Sequence, residues 1–292
     1  IVGLNVQPFD AAKHNAASLV ADAKAGLEEL SAALGAWKAP EAWTAKARDE
    51  KARWFEQTAR FTDPTNAELP SDAQVIGAVQ RNAQASDVVV CAAGGLPGEL
   101  HKHWKATQAG GYHMEYGYSC MGYEIAGGIG VKMADPSRDV TVMVGDGSYL
   151  MMNSELATSV MLGLKLTVVL LDNRGYGCIN RLQRATGGES FNNLLQHTRH
   201  VTLPDIDFAA HAASLGALAV KVKGIGELES ALKEARKAER STVIVIDTDP
   251  LASTDAGGHW WDVAVPEVSA RPQVNDARKS YENALAAQRV GD

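Results

Sequence analysis

The feature that most constrains this chain is a set of short runs that are almost wholly apolar between their ends: DVVVCAA at 87–93, DVTVMVG at 139–145, KLTVVLLDN at 165–173 and STVIVIDTD at 241–249. A strand with one solvated face alternates apolar and polar residues. Runs this continuous, and this rich in valine, isoleucine and leucine, belong to strands covered on both sides. Between them lie helical patterns, among them DAQVIGAVQRNA, GYEIAGGIGVKMA, NSELATSVMLG and IGELESALKEARKA. The alternation predicts an α/β fold, a parallel sheet with helices on both faces. DFAAHAASLG and ALAVKV extend it toward the carboxyl end, and neither internal repeats nor low-complexity tracts interrupt it.

The first seventy residues read differently. IVGLNV at 1–6 has the pattern of a strand, and Ala16 to Leu34 that of one helix with Leu19, Ala23, Leu27, Leu30 and Leu34 on a single face. This βα piece, residues 1–36, is too small to fold alone, and a chain that starts with Ile1 on a strand is expected to begin inside a larger protein. Residues 37–70 turn charged and aromatic, and PEAWTAKARDEKARWFEQTARF predicts an exposed linker helix ahead of a turn. Residues 71–292 form the main domain with its tail.

Charge and cysteine content exclude several classes of function. A net charge of -7 and 22% charged residues, with a pI near 5.6, leave no basic face for a nucleic acid. The expected partners are small molecules and other subunits. Cys91, Cys120 and Cys178 are far apart and form no CxxC pair, so neither a disulfide framework nor a zinc site is implied, and a reducing cytoplasm fits. No stretch approaches the roughly 20 apolar residues that cross a bilayer, and the N-terminus lacks a signal-peptide pattern. No membrane partner is expected.

One strand end stands out. VMVGDGSYL, 142–150, runs from an apolar strand into Gly145, Asp146 and Gly147. An acid between two glycines is either a turn residue or a ligand for something positively charged. The strand at 140–144, the helix at 154–162 and the strand at 166–171 form a βαβ unit whose right-handed crossover returns to the same sheet. Asp146 and Asn173, 27 positions later, then both sit at carboxyl strand ends, where open α/β sheets bind ligands. An Asp carboxylate, an Asn amide oxygen and a free carbonyl in DNRGYG, at Gly175, are hard donors suited to Mg2+. Backbone N–H groups at Gly147 and Ser148 can hold phosphate oxygens. The alternative is a turn Asp and a turn Asn at two strand ends.

GDG with an Asn-ending pair at this interval resembles the thiamine diphosphate-binding motif, with Asp172–Asn173 in place of the usual Asn–Asn. The changed residue is not the ligand. EYGYSCMGYEIAGGIG, 115–130, is similar to the segment ahead of GDG in the acetolactate synthase and pyruvate decarboxylase group. The resemblance implies that Met121 props the cofactor into a bent shape, and that the Ser119 carbonyl and the Met121 N–H meet the aminopyrimidine ring. Met121 as an ordinary core methionine is the competing reading. AAGGLPGELHKHW, 92–104, resembles the loop that contacts the diphosphate, which implies contacts from Gly95, Leu96 and Gly98. His101 and His103 invite a metal reading, but HxH lacks further ligands and solvated surface histidines are the expectation.

The wording of GLPGELHKHW, GYHMEYGYSCMGYEIAGG, VMVGDGSYLMMNSE, LLDNRGYGCINRLQ and GGHWWDVAVPEVS resembles one family within that group. It is the 3D-(3,5/4)-trihydroxycyclohexane-1,2-dione hydrolases of myo-inositol catabolism, which open a cyclic 1,2-dione to 5-deoxyglucuronate. The resemblance implies a thiamine diphosphate-binding fold at 71–292, its diphosphate-binding domain, preceded by a remnant of a central domain at 1–36. It implies thiamine diphosphate and Mg2+ as cofactors, a polyhydroxy cyclic dione as substrate, and a homodimer or homotetramer for the complete enzyme. The acid that activates the cofactor is a glutamate of the N-terminal domain of a neighbouring subunit in that group, so no catalytic residue is assigned here. Neither Glu115 nor Glu124 can be carried onto that position, and the chain alone is expected to bind cofactor weakly and not to turn over. His113, Glu115, Tyr116 and Tyr118 are candidates to contact the hydroxylated ring. Two readings compete: another enzyme of the acetolactate synthase-like group, or a non-catalytic magnesium-binding half that awaits a partner chain. A Rossmann dinucleotide site is disfavoured, because no strand leads into GxGxxG with an acid about 20 residues on.

Overall fold

The computed structural model describes residues 1–115, 117–254 and 262–288. It divides into two compact units, one of residues 1–54 with 279–292, the other of residues 55–278. The boundaries fall inside two helices, α3 (Glu41–Thr62) and α12 (Pro272–Ala287).

In the first unit, β1 (Val2–Asn5) pairs in parallel with β2 (Ala17–Val20), in a register that sets Leu4 against Leu19. The short helix α1 (Pro8–Ala11) and a 3-10 turn at Lys13–Asn15 connect the strands. Here the expected single helix from Ala16 is corrected: its first residues are a strand, and α2 runs only over Ala23–Leu34. Asp22 decides the start, its carboxylate accepting from the backbone N–H of Lys24 and Ala25 as an N-cap. Leu19 fell on the helical face by spacing alone.

The second unit is built on six parallel strands: β3 (Val88–Cys91), β4 (Tyr112–Met114), β5 (Val140–Gly145), β6 (Thr167–Asp172), β7 (Leu218–Val222) and β8 (Thr242–Asp247). Among the described residues their order is β4-β3-β5-β6-β8-β7. The predicted runs therefore form a parallel sheet, with β4 the strand that the sequence did not announce. Successive residues divide between two cores. Val89, Met143, Val169 and Ile244 face α4 (Asp72–Asn82), α5 (Leu96–His103) and α11 (Gly224–Lys237). Val90, Val142, Val168 and Val243 face α6 (Tyr123–Ala134), α8 (Glu155–Met161) and α10 (Phe208–Ser214). Continuous apolar strands follow from this double cover, because neither face meets water. Each such side chain contributes about 1.5–3 kcal/mol of burial.

The strand order reverses at β3. The chain leaves β3 for β4 on one side and then comes back past it to β5 on the other. Their carboxyl ends diverge there and open a crevice. Two short helices follow the central strands directly, α7 (Asp146–Met151) after β5 and α9 (Gly177–Ala185) just beyond β6. AAGGLPGELHKHW proves largely helical rather than a loop, since α5 begins at Leu96 with Pro97 in its first turn, where a missing N–H costs nothing.

Candidate functional site

The crevice is a cleft of about 220 Å³ at the carboxyl ends of β3, β5 and β6. The segment after β3 contributes Gly95 and Leu96, the turn before α6 contributes Ser119 and Met121, and the β5–α7 junction contributes Gly145, Asp146, Gly147 and Ser148. Asn173 and Gly175 close the side after β6. Of the residues singled out from sequence, Gly98 stands apart, in α5 and outside the lining. The register explains the meeting of Asp146 and Asn173. Gly145 pairs with Leu171, so the residues just past both strands emerge side by side.

Asp146 is 6% exposed. Its Oδ2 accepts the Gly175 N–H at 2.9 Å, while Oδ1 is buried with no hydrogen-bond partner. Asn173 Oδ1 is also buried without a partner. An unpaired buried oxygen costs roughly 1–3 kcal/mol, so two of them at one cleft mark a site built for something else to fill. Burial, and next the neighbouring Asp172 carboxylate, push the Asp146 carboxyl up to about 7. A divalent cation reverses that balance, since it favours the ionised form. Two oxygen donors, with the Gly175 carbonyl as a third from sequence, fit a hard cation such as Mg2+.

The glycines have distinct reasons. A Cβ on Gly147 would lie 2.8 Å from the Tyr176 ring, so that ring and the backbone share space only glycine leaves. At Gly145 a Cβ would meet nothing within 4 Å. That space is open to a ligand. Gly175 has φ +142 and a Cβ there would come within 2.5 Å of the Asn193 carbonyl oxygen, which fixes the turn that presents its N–H to Asp146.

Asp172, the departure from the Asn–Asn pattern, is 3% exposed. Its Oδ1 accepts from the Arg174 N–H at 3.0 Å and its Oδ2 lies 3.3 Å from Arg174 Nε. Its carboxylate is thus turned to its own loop. Around the cleft, the sequence reading missed Asp72, Tyr176, Cys178 and Ile179. Asp72, at the start of α4, is pushed up to about 6 by burial, against the pull of Arg181 3.9 Å away. SDAQ at 71–74 announces a capping box, which forms, but not which face of the molecule that helix end reaches.

The polar residues proposed from sequence for a hydroxylated ring are in varied settings. His113 Nε2 is 2.7 Å from the Tyr123 hydroxyl, and Glu115 accepts from the N–H groups of Tyr118 and Cys120. The Tyr118 side chain is fully open to solvent. Tyr116 lies outside the described residues, as does part of GGHWWDVAVPEVS. His101 is exposed and 3.2 Å from the Tyr112 hydroxyl. His103 corrects the expectation of a solvated pair: it is 4% exposed, with Nε2 2.7 Å from Thr254 Oγ1, and Glu99 joins the same cluster. Helical spacing from Glu99 to His103 turned the ring inward. Among the described residues, no group of three or more His, Cys, Asp or Glu side chains is arranged to hold a metal, so a cation here depends on amide and carbonyl oxygens as well. No helix in those residues is long and apolar enough to cross a membrane.

Comparison with known proteins gives this geometry a context. Residues 92–246 match the family described as thiamine pyrophosphate enzyme, C-terminal TPP binding domain. A protein of Geobacillus thermodenitrificans named 3D-(3,5/4)-trihydroxycyclohexane-1,2-dione hydrolase is 38% identical over 318 aligned positions, which cover 99% of this chain and 50% of that protein. A Bacillus cereus protein of the same name, numbered 2, is 37% identical over 96% of this chain and 48% of its own length. The chain spans about half the length of the curated relatives it matches. Among solved structures, a 4-hydroxybenzoylformate decarboxylase of Rhodococcus jostii RHA1 superposes with a TM-score of 0.56 at 20% identity, over 63% of this chain and 34% of that one. A benzoylformate decarboxylase of Polynucleobacter necessarius does so with the same score at 21% identity, over 64% and 34%. At that identity the likeness speaks to the fold.

Proposed function

This chain belongs to the thiamine pyrophosphate enzymes and carries their C-terminal cofactor-binding domain, and from that premise we propose that it supplies the diphosphate and Mg2+ half of an active site for the hydrolytic ring opening of 3D-(3,5/4)-trihydroxycyclohexane-1,2-dione. The observation that carries the proposal is the pair of partnerless buried oxygens, Asp146 Oδ1 and Asn173 Oδ1, on two residues that line one glycine-rich cleft. The choice of dione rests on the names of the relatives that match along almost the whole chain.

In this reading Asp146, Asn173 and the Gly175 carbonyl hold Mg2+, and the metal with the backbone N–H groups of Gly147 and Ser148 holds the diphosphate. The first N–H groups of a helix have no intrahelical partner, and such groups are the donors that phosphate oxygens take up at a helix start. Gly95 and Leu96 border the same ligand, while Ser119 and Met121 meet its ring system from the turn before α6. When bound, the cofactor supplies an electron sink for cleavage of the carbon–carbon bond next to a carbonyl. The protein's part is orientation and electrostatics. A cleft of about 220 Å³ is below the roughly 300–1000 Å³ of a pocket that encloses a ligand of this size, which supports a site completed by another surface. The complete enzyme is then a cytoplasmic homodimer or homotetramer, with the activating glutamate on the half that this chain lacks.

The test measures ring opening of the dione by the chain alone and by the chain mixed with the N-terminal half of one of its relatives. The expected result is weak, Mg2+-dependent binding of thiamine diphosphate with no turnover alone, and turnover on mixing. Ring opening by the chain alone would overturn the half-site reading. Condensation of pyruvate to acetolactate by the mixture, with the dione untouched, would move the assignment to the carboligase group.

A further inference from the structure

Glu124 is the most buried acid in the described residues, 1% exposed, and the proposed function gives it no role. It sits in the first turn of α6, three residues after Met121, and its carboxylate is enclosed by donors from three separate segments. Oε1 accepts the Ala93 N–H at 3.2 Å, from the segment that follows β3. Oε2 accepts the Gly122 N–H at 3.1 Å, from the turn that carries Met121. The Ser148 hydroxyl, on α7, is 2.8 Å from both oxygens. Ser148 Oγ in turn accepts from the Gly122 N–H at 2.8 Å.

A hydroxyl has one proton to give, and here it goes to Glu124. Ser148 therefore offers a phosphate its backbone N–H and not its hydroxyl. Gly122 has φ +93, a conformation that suits glycine, and its N–H is shared between Glu124 and Ser148. The three segments joined in this way are those that border the cleft at Ala93 to Leu96, at Met121 and at Asp146 to Ser148. They are distant in sequence, and a parallel sheet alone sets their strand ends but not the loops beyond them.

We infer that Glu124 is a positioning residue that ties the Met121 turn to the phosphate-holding turn of α7 and to the segment after β3. It thereby sets the distance between the part of the cleft that meets the ring system and the part that meets the diphosphate. This rests on the proposed function. Inorganic diphosphate needs only the second part, and thiamine diphosphate needs both in register, which separates positioning from simple support of the fold.

The experiment is calorimetric titration of the chain with thiamine diphosphate and with inorganic diphosphate, each with Mg2+, at a temperature where melting curves show every variant folded. Glu124→Gln keeps the size but puts an NH2 against an N–H donor. It is expected to weaken thiamine diphosphate at least tenfold and inorganic diphosphate less than threefold. Ser148→Ala removes the hydroxyl's bonds to Glu124 and to the Gly122 N–H but leaves the Glu124 carboxylate in place, and serves if the Gln variant does not fold; it should show the same selectivity. The double variant should be no weaker than the weaker single one, because both act through one network. Unchanged affinity for both ligands overturns the inference, as does an equal loss for both that follows the fall in melting temperature. If the unsubstituted chain binds neither ligand, the proposed function falls and the inference with it. If it binds both and only the variants fail to discriminate, the proposed function stands alone.

Discussion

The two ends of β3 and β5 carry acids in opposite circumstances. At the amino ends, Asp87 and Asp139 converge on one guanidinium: Arg236 lies 2.5 Å from Asp87 and 2.8 Å from Asp139, and donates to the Asn82 carbonyl at 3.0 Å as well. Asp87 also accepts from the Gln84 N–H. The cluster is closed, and its partners hold the Arg236 pKa above the ordinary arginine value, the Asp87 hydrogen bond first among the causes. At the carboxyl end of β5, Asp146 feels the charge of another acid, Asp172, and retains an oxygen without a partner. One end spends its charges on the fold. The other leaves them unmet, which costs stability and keeps them available to a ligand.

Removing one charged side chain should therefore do opposite things at the two ends. Asp146→Ala is expected to weaken Mg2+-dependent thiamine diphosphate binding by at least about a hundredfold, some 2.7 kcal/mol, while the melting temperature holds or rises. Titration calorimetry beside a thermal melt checks both halves. A fall in melting temperature with binding intact would place Asp146 among the structural acids and erase the contrast. Arg236→Ala is the converse. It leaves Asp87 buried and unpaired, and the loss of stability should be about 2–3 kcal/mol, the lower range for a broken buried pair because the guanidinium is partly exposed. Denaturant unfolding measures that loss, and cofactor affinity should stay within about twofold.

Asp72 sharpens the comparison through pH. Its folded pKa, about 6, lies above the ordinary 3.8 because of burial. The folded state then holds a proton that the unfolded chain releases, so stability is greatest below the unfolded value and is lost as pH rises from about 4 to about 6. Asp72→Asn removes that dependence. At pH 8 the variant should be more stable than the unsubstituted chain by about 3 kcal/mol, and near pH 4 the two should differ little. Urea unfolding at both pH values reads the difference. An identical gap at the two values would mean that Asp72 does not titrate in this window.

The legible part of this molecule was the part with a period. Continuous apolar runs at 88–91, 140–145, 167–172 and 242–247 gave a doubly covered parallel sheet before any coordinate, and the spacing of Asp146 and Asn173 across one βαβ unit placed both at one crevice. What escaped had no local mark. Glu124 looks like any first-turn acid of a helix, and its partners Ala93 and Ser148 lie 31 and 24 residues away. His103 sat in a polar stretch that reads as surface, yet its ring meets Thr254, 151 residues on. The start of α2 was misjudged because a helical period extended by chance across a strand, and the cap at Asp22 and the pairing with β1 outweighed it.

By itself the sequence determined the class of fold and the meeting of Asp146 and Asn173 at one crevice, since both rest on local pattern: side chains that must avoid water, and polar residues set at fixed intervals after strands. The tertiary structure alone decided which acids would be neutralised and which left open, and which segments a buried carboxylate would join. Those outcomes depend on approach between segments far apart in the chain. The energy of a charge or a hydrogen bond is set by its surroundings after folding, and no stretch of residues carries its surroundings with it.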